Sequence, residues 1–294
     1  MSNHGASRCI FRIERKTKLK GDLTFRVIGC GDAMGTGGRY NTCFLVDDDF
    51  GRFLIDFGAT SLVALNAQSV VPESIDVIFL THLHGDHFGG IPNLLLYREY
   101  VSDSVTPLTI AGPPGLEKRL LDLCENMYPG MWKQEWKFPV LLQEIEPALP
   151  VDILGRTVVT HPVVHYAGAE LSTAIRIETG TRAIGFSGDT GWDEVLVEVA
   201  RDTCLFLCDC FDRYDQPFPG HLSYDSLLKN SNKLKTSRLL MTHLGPQMVN
   251  SSEAFDIEQA VDGMVIHFSD GATDDSSRSS PESTKNMRSE THDL

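Results

Sequence analysis

The run Thr81-His82-Leu83-His84-Gly85-Asp86-His87 places three imidazoles and one carboxylate within residues 82–87. Nitrogen and carboxylate donors at such close spacing are what zinc and related divalent ions bind. His82 and His84 are two apart and follow the apolar run Val77–Leu80, which reads as a short buried strand. Extended backbone sends residues i and i+2 to the same face, so both rings can reach one ion. Gly85 is expected to let the chain turn, so that Asp86 and His87 lie on the far side and can reach a second ion. Gly89 and Gly90 would let the backbone pack close behind. A chance cluster of surface histidines would not be expected straight after Val, Ile, Phe and Leu. The chemistry indicated is metal-assisted hydrolysis.

Two ions about 4 Å apart need a bridging carboxylate and further ligands. Candidates stand at strand ends: Asp189 in Ser187-Gly188-Asp189-Thr190, His243 in Thr242-His243, and His165 or His161 in His161-Pro162-Val163-Val164-His165. Singly, an Asp after Gly reads as a turn and a lone His as a loop residue. Their shared setting beside the histidine run makes them candidates.

The elements that must position these residues are short apolar runs alternating with helical patterns. Strands are predicted at Leu23–Gly29, Cys43–Val46, Phe53–Asp56, Val77–Leu80, Leu108–Ala111, Arg156–Pro162, Ser172–Glu178, Ala183–Ser187, Leu205–Leu207, Arg238–Thr242 and Met264–Phe268. Cys43–Val46 and Phe53–Asp56 read as a hairpin around Asp47-Asp48-Asp49. Helices are predicted at Ser61–Ala67, Ile91–Tyr97, Pro114–Met127, Trp192–Arg201 and Tyr224–Asn230, the last capped by Ser223. Strands and helices interleave without a linker, so one α/β domain over residues 21–268 is the simplest account. Residues 269–294 are rich in Ser, Asp, Thr and Arg and poor in apolar residues, so a disordered tail is expected.

The formal net charge is −14, although residues 1–20 form a basic arm carrying Arg8, Arg12, Arg15, Lys16, Lys18 and Lys20 against Glu14. An acidic body counts against a large nucleic-acid partner, which usually demands a basic footprint. No apolar run of about 18 residues is present to span a membrane. The seven cysteines include no Cys-x-x-Cys pair. That usage suits a reducing compartment, and cytoplasmic location is expected.

Residues Thr81 to Gly90 resemble the signature of the metallo-β-lactamase superfamily, and the order of the later His, Gly-Asp and Thr-His motifs is similar to that superfamily's. The resemblance runs from Leu23 to Phe268 and implies a four-layer αβ/βα sandwich. It implies that His82, His84 and His165 hold one ion, that Asp86, His87 and His243 hold the other, and that Asp189 bridges them. Pro162-Val163-Val164-His165, followed by Ala174-Ile175-Arg176-Ile177-Glu178, resembles the ribonuclease Z branch and favours His165 over His161. Gly220-His221-Leu222-Ser223 resembles the His-x-Ser/Thr element of ribonuclease Z-like phosphodiesterases. There an acidic residue from an earlier strand end holds the His, and Asp209 matches that position, although the family more often has Glu. His-Pro-Val-Val-His-Tyr at 161–166 departs from the glyoxalase-type His-Thr-Pro-Gly-His-Thr.

The implied reaction is phosphodiester hydrolysis by a hydroxide bridging two divalent ions, zinc by default with manganese or iron also suited. Asp86 would accept a proton, and His221, held by Asp209, would protonate the leaving oxygen. The implied substrate is a small phosphodiester, a cyclic nucleotide or an RNA 3′ end. The alternatives are a lactone or thioester hydrolase, which uses the same hydroxide, and a non-catalytic metal-binding protein, which would be expected to lose ligands. A homodimer is an ordinary expectation. Three signals are weaker. Gly29-Cys30-Gly31-Asp32-Ala33-Met34-Gly35 has the wrong spacing for a dinucleotide loop but could touch substrate. Asp56 reads either as a strand-end turn or as a carboxylate orienting a ligand His. Cys208 and Cys210 read as inert buried thiols.

Overall fold

The computed structural model describes residues 21–216 and 220–269. The basic arm, and the tail beyond Ser269, lie outside the described residues. In chain order the elements are β1 (Leu23–Gly29), β2 (Cys43–Asp48), β3 (Gly51–Ile55), α1 (Ser61–Ala67), β4 (Val77–Phe79), α2 (Gly85–Phe88), α3 (Ile91–Tyr100), β5 (Leu108–Gly112), α4 (Leu116–Met127) and β6 (Val140–Glu144). Then follow β7 (Val151–Ile153), β8 (Arg156–Pro162), β9 (Thr173–Thr179), β10 (Arg182–Phe186), α5 (Val195–Ala200), β11 (Leu205–Asp209), α6 (Tyr224–Asn230), β12 (Leu239–Thr242), α7 (Pro246–Val249), β13 (Glu258–Gln259) and β14 (Val265–Phe268).

Period-two alternation sorts the side chains into layers. Phe53, Ile55, Val77 and Phe79 of one sheet face Ile175, Ile177, Ile184 and Phe186 of the other across a shared core. The intervening Leu54 and Ile78 point outward onto Leu94, Leu95 and Leu120 of α3 and α4. On the other side Phe206, Cys208 and Met241 point outward onto Leu196, Val199 and Leu227 of α5 and α6. Strands covered on both faces read as unbroken apolar runs. The result is a single domain with the expected four layers. One sheet has the order β14-β1-β2-β3-β4-β5-β6 and the other β13-β12-β11-β10-β9-β8-β7. Within each sheet one half is antiparallel and the other, β3 to β6 or β10 to β13, is parallel. Parallel neighbours end at the same edge, where α/β folds place their sites.

The opposite end of the sandwich is tied by an ion pair. Arg156 Nε and Nη2 donate to Asp48 Oδ2 and Oδ1 at 2.7 and 2.6 Å, and Thr179 Oγ1 donates to Asp48 Oδ2 at 2.6 Å. The sequence reading placed Asp48 in a turn; instead it ends β2, and the turn falls at Asp49-Phe50. Gly51, at φ +126°, opens the return strand. Two helices start later than their patterns suggested. α4 starts at Leu116 because Gly115 adopts φ +93°, with Glu144 accepting its N–H at 2.9 Å. α5 starts at Val195, whose N–H is taken by Asp193 Oδ1 at 2.9 Å. Strands β6, β7 and β13 escaped the sequence reading. β6 has no buried residue in its alternation, and the other two are only two or three residues long.

Asp48→Ala leaves the buried Arg156 guanidinium without its anion. It should cost about 3–5 kcal/mol in urea unfolding, whereas Asp48→Ala with Arg156→Met should recover most of that loss.

Candidate metal centre

β4 delivers the first group of side chains. Past Phe79 the chain bends at Thr81, and His84, just before α2, has extended backbone at φ −79° and ψ 152°. His82 Nε2 and His84 Nδ1 approach to 3.1 Å, and His165 Nε2 lies 3.1 Å from the same His84 nitrogen. His161 instead pairs with Ala174 in the β8–β9 ladder, away from this cluster. The turn expected at Gly85 is made by α2 itself. Gly85 has no positive φ, and a Cβ there would meet nothing within 4 Å. Gly89 and Gly90 do allow close packing, since Cβ atoms there would lie 2.3 Å from the carbonyls of Gly85 and Gly58.

The second group comes from both sheets. Asp86 and His87 on α2 meet Asp189 after β10 and His243 after β12. His87 Nε2 is 3.4 Å from Asp86 Oδ2 and 3.2 Å from Asp189 Oδ2. His243 Nε2 is 3.2 Å from Asp86 Oδ2 and 3.4 Å from Asp189 Oδ2. Asp189 Oδ2 also lies 3.8 and 3.9 Å from the Nε2 atoms of His82 and His165, so this one oxygen faces both groups. Within each group the donor atoms lie within 4.8 Å of one another. His87 Nε2 and Asp189 Oδ1 are buried and lack hydrogen-bond partners. Such orphans are rare unless something else is to be bound there. Three nitrogens on one side, a mixed nitrogen–carboxylate set on the other and a carboxylate between them fit two divalent cations.

Turns at strand ends aim these side chains. Asp56 and His243, just after β3 and β12, take left-handed backbone at φ 59° and 56°, and Gly188 does so at φ 59°. For residues with a Cβ this conformation costs about 1–2 kcal/mol. At Gly188 a Cβ would also approach the Thr173 carbonyl to 2.5 Å. Asp56 is the residue that sequence reasoning undervalued. Its carboxylate accepts from His87 Nδ1 at 2.7 Å, from Thr81 N–H at 2.8 Å and from Thr81 Oγ1 at 2.9 Å. Thr81 Oγ1 in turn lies 3.1 Å from His82 Nδ1. Asp56 therefore orients two histidines; the available signal was a strand ending on Asp-Phe-Gly, where Asp tolerates positive φ. The Gly29–Gly35 loop contributes less directly, since the Cys30 carbonyl accepts the N–H of His243 at 3.0 Å.

The remaining pair stands beside these groups. His221 Nδ1 lies 2.9 Å from Asp209 Oδ2, which also accepts the Thr190 N–H at 3.0 Å. His165 Nδ1 donates to the Gly220 carbonyl at 2.7 Å, tying the His221 segment to the first cluster.

The charges interlock. Burial, reinforced by neighbouring imidazoles, pushes His82 and His84 below the usual histidine range. Burial acts downward on His87 and His243 too, but Asp189 and nearby carboxylates outweigh it and raise both. Burial would raise Asp86 and Asp189, yet the histidines hold both far below the usual carboxylate range. For Asp56 burial outweighs His87, so its carboxyl is raised. Burial lowers His221, but Asp209 outweighs it and lifts the ring to about 9. On the protein's own charges His221 is therefore a cation at neutral pH. The thiols of Cys208 and Cys210 are pushed up mainly by burial, as expected of inert cysteines.

Comparison with known proteins sets this arrangement in its class. The crystal structure of the metallo-β-lactamase fold protein YhfI from Bacillus subtilis superposes with a TM-score of 0.67 at 19% identity, covering 84% of this chain and 99% of that one. The chain thus has the metallo-β-lactamase fold. The sequence model of the family "Anti-Pycsar protein Apyc1" matches residues 23–262, and the chain belongs to that family. It is 25% identical over 256 residues to the Anti-Pycsar protein Apyc1 of Bacillus phage 010DV004, covering 78% of this chain and 92% of the relative. It is 34% identical over 274 residues to the ribonuclease Z of Bacillus cereus strain G9842, covering 76% and 88%. It is therefore a metal-dependent hydrolase of the ribonuclease Z-like branch.

Asp56→Ala strands three buried donors at about 1–3 kcal/mol each and puts Ala at positive φ. It should destabilise the fold by at least about 3 kcal/mol in urea melts, and Asp56→Asn by clearly less.

Proposed function

We propose that the chain is a dinuclear phosphodiesterase that hydrolyses a small diester, with a cyclic nucleotide as the first candidate. His82, His84 and His165 hold one ion; Asp86, His87 and His243 hold the other; Asp189 bridges. Zinc is our assignment, from the nitrogen-rich donor set. A reducing, cytoplasmic setting is our reading of the cysteine usage, with no Cys-x-x-Cys pair in the sequence and the described cysteines buried. Among the described residues no helix is long and apolar enough to cross a membrane. When bound, the ions supply Lewis acidity and the means to ionise water near neutral pH.

The chain's own residues do the rest. Asp189 aligns the two clusters, and Asp86 accepts a proton from the attacking water. Water adds to phosphorus, one ester P–O bond breaks, and His221 gives its Nε2 proton to the departing oxygen. Asp209 keeps the Nδ1 side of that ring occupied, which leaves Nε2 for the substrate. The observation that carries this reading is the His221–Asp209 pair, 2.9 Å apart, with His221 4.0 Å from Asp189. A thioester releases a thiolate, which needs such an acid less.

The cleft beside His221 has a volume of about 280 Å³ and is lined by Trp192, Asp215, Gln216, Ser223 and Ser226 among others. That is at the small end of ligand sites. The acidic body, with net charge −14 for the chain, weighs against a bulky RNA. An RNA 3′ end remains the second substrate reading, supported by likeness to ribonuclease Z.

Metal analysis should find two divalent ions per chain. A panel of a bis-aryl phosphodiester, a cyclic nucleotide, a precursor tRNA, a lactone and a thioester should show turnover of the diesters. Activity on the thioester alone overturns the proposal. His221→Ala should keep both metals and lose about 10²–10⁴-fold in turnover; loss of metal from that variant would make His221 a ligand instead. Trp192→Ala should raise KM for the cyclic nucleotide several-fold with little change in kcat.

A further inference from the structure

Four histidines turn Nε2 toward the metal clusters: His82, His87, His165 and His243. A ring that offers the Nε2 lone pair carries its proton on Nδ1, and a buried Nδ1–H needs an acceptor. Three of the four have one. His82 Nδ1 meets Thr81 Oγ1 at 3.1 Å, His87 Nδ1 meets Asp56 Oδ2 at 2.7 Å, and His165 Nδ1 meets the Gly220 carbonyl at 2.7 Å. His243 is the exception: its Nδ1 is buried without a partner.

The atom facing it is Asp209 Oδ1, at 3.8 Å. That oxygen is also buried and unpartnered, on a residue with 0% exposure. An orphan donor and an orphan acceptor, each costly to bury alone, thus point at one another. The rings of His221 and His243 lie nearly parallel, 14° apart with centroids at 5.1 Å, and both present Nδ1 to the same carboxylate. Asp209 is anchored by its N–H to Ser187 Oγ at 2.8 Å and by the Thr190 N–H on Oδ2 at 3.0 Å. Closing the remaining gap to an ordinary hydrogen bond takes a movement of about 1 Å.

We propose that Asp209 is a shared positioning residue: Oδ2 orients His221, and Oδ1 accepts the Nδ1–H of His243, so one carboxylate aligns the leaving-group acid and a metal ligand together. This rests on the reading of His243 as a ligand. On the second sheet Asp209, at the end of β11, repeats what Asp56 does after β3 on the first. It follows that removing the carboxylate harms metal binding as well as proton donation, whereas removing His221 harms only the latter.

The test uses the full-length protein and zinc alone. Zinc titration against a chromophoric chelator should give wild-type affinities at both sites for His221→Ala. Asp209→Asn, close to isosteric, should be weakened about 10–100-fold at one site. In ¹H–¹⁵N histidine spectra of the zinc-loaded wild type and of His221→Ala, the His243 Nδ1–H should be a slowly exchanging signal, lost in Asp209→Asn. Unchanged zinc affinities in Asp209→Asn overturn the inference. So does the absence of a protected His243 Nδ1–H from the wild type, which needs no variant to fold. If the wild type binds fewer than two zinc ions, the metal reading itself has failed.

Discussion

Asp189 is a charged carboxylate with 2% exposure, and the architecture around it answers the cost of putting it there. An unpaired buried charge costs several kcal/mol, so it persists only where opposite charge surrounds it. The compensation comes from His87 and His243, whose Nε2 atoms lie 3.2 and 3.4 Å from a single oxygen, and the Nε2 atoms of His82 and His165 complete the ring at 3.8 and 3.9 Å. His82 and His87 follow β4 in one sheet. His165 and His243 follow β8 and β12 in the other. No single sheet could supply this ring, so the two must close at this edge, and the apolar layer between them sets their separation.

Holding the ring uses left-handed backbone at three strand ends. Asp56, Gly188 and His243 all turn through left-handed conformations as they leave their strands. Each turn redirects a side chain that would otherwise continue along the sheet. The interlayer core, rich in Phe, Ile and Val, and the far-end Asp48–Arg156 pair supply the rigidity that keeps such turns in place. Beneath the histidines lie two carboxylates, Asp56 and Asp209, one at the end of an interior strand of each sheet. They fix ring orientation, and through it which nitrogen faces the centre. This is also why His221 belongs with the metal cluster rather than with helix α6 that it precedes.

The same fold serves many hydrolases, so class and substrate are set by different parts of the molecule. The clustered His and Asp donors define hydrolysis. The cleft beside His221, with Trp192 and Gln216 along its wall, is where we place the substrate. Its residues come from the turn before α5, the segment leading into α6 and the first turn of that helix.

The histidine run could be read directly because its donors are neighbours in sequence, on an extended stretch and one helical turn. Most strands were legible for a related reason: burial on both faces writes them as continuous apolar runs. The half-exposed β6 and the very short β7 and β13 carry no such mark. His243 lies 157 positions from Asp86 and His165 lies 81 from His84, and no local pattern connects them. They were found through the order of motifs, which also favoured His165 over His161, and the structure brings His165 to His84 while His161 lies in the β8–β9 ladder. Asp56 read equally as a turn residue or as a carboxylate orienting a histidine, and its hydrogen bond to His87 decides for the latter; the mutual approach of Asp209 and His243 left no trace in sequence. The sequence by itself therefore determined the donor types, the α/β class and the kind of chemistry, because these depend on local spacing and hydrophobic periodicity. Only the tertiary structure decided which distant side chains share an oxygen, because that depends on where two separate sheets bring their strand ends together.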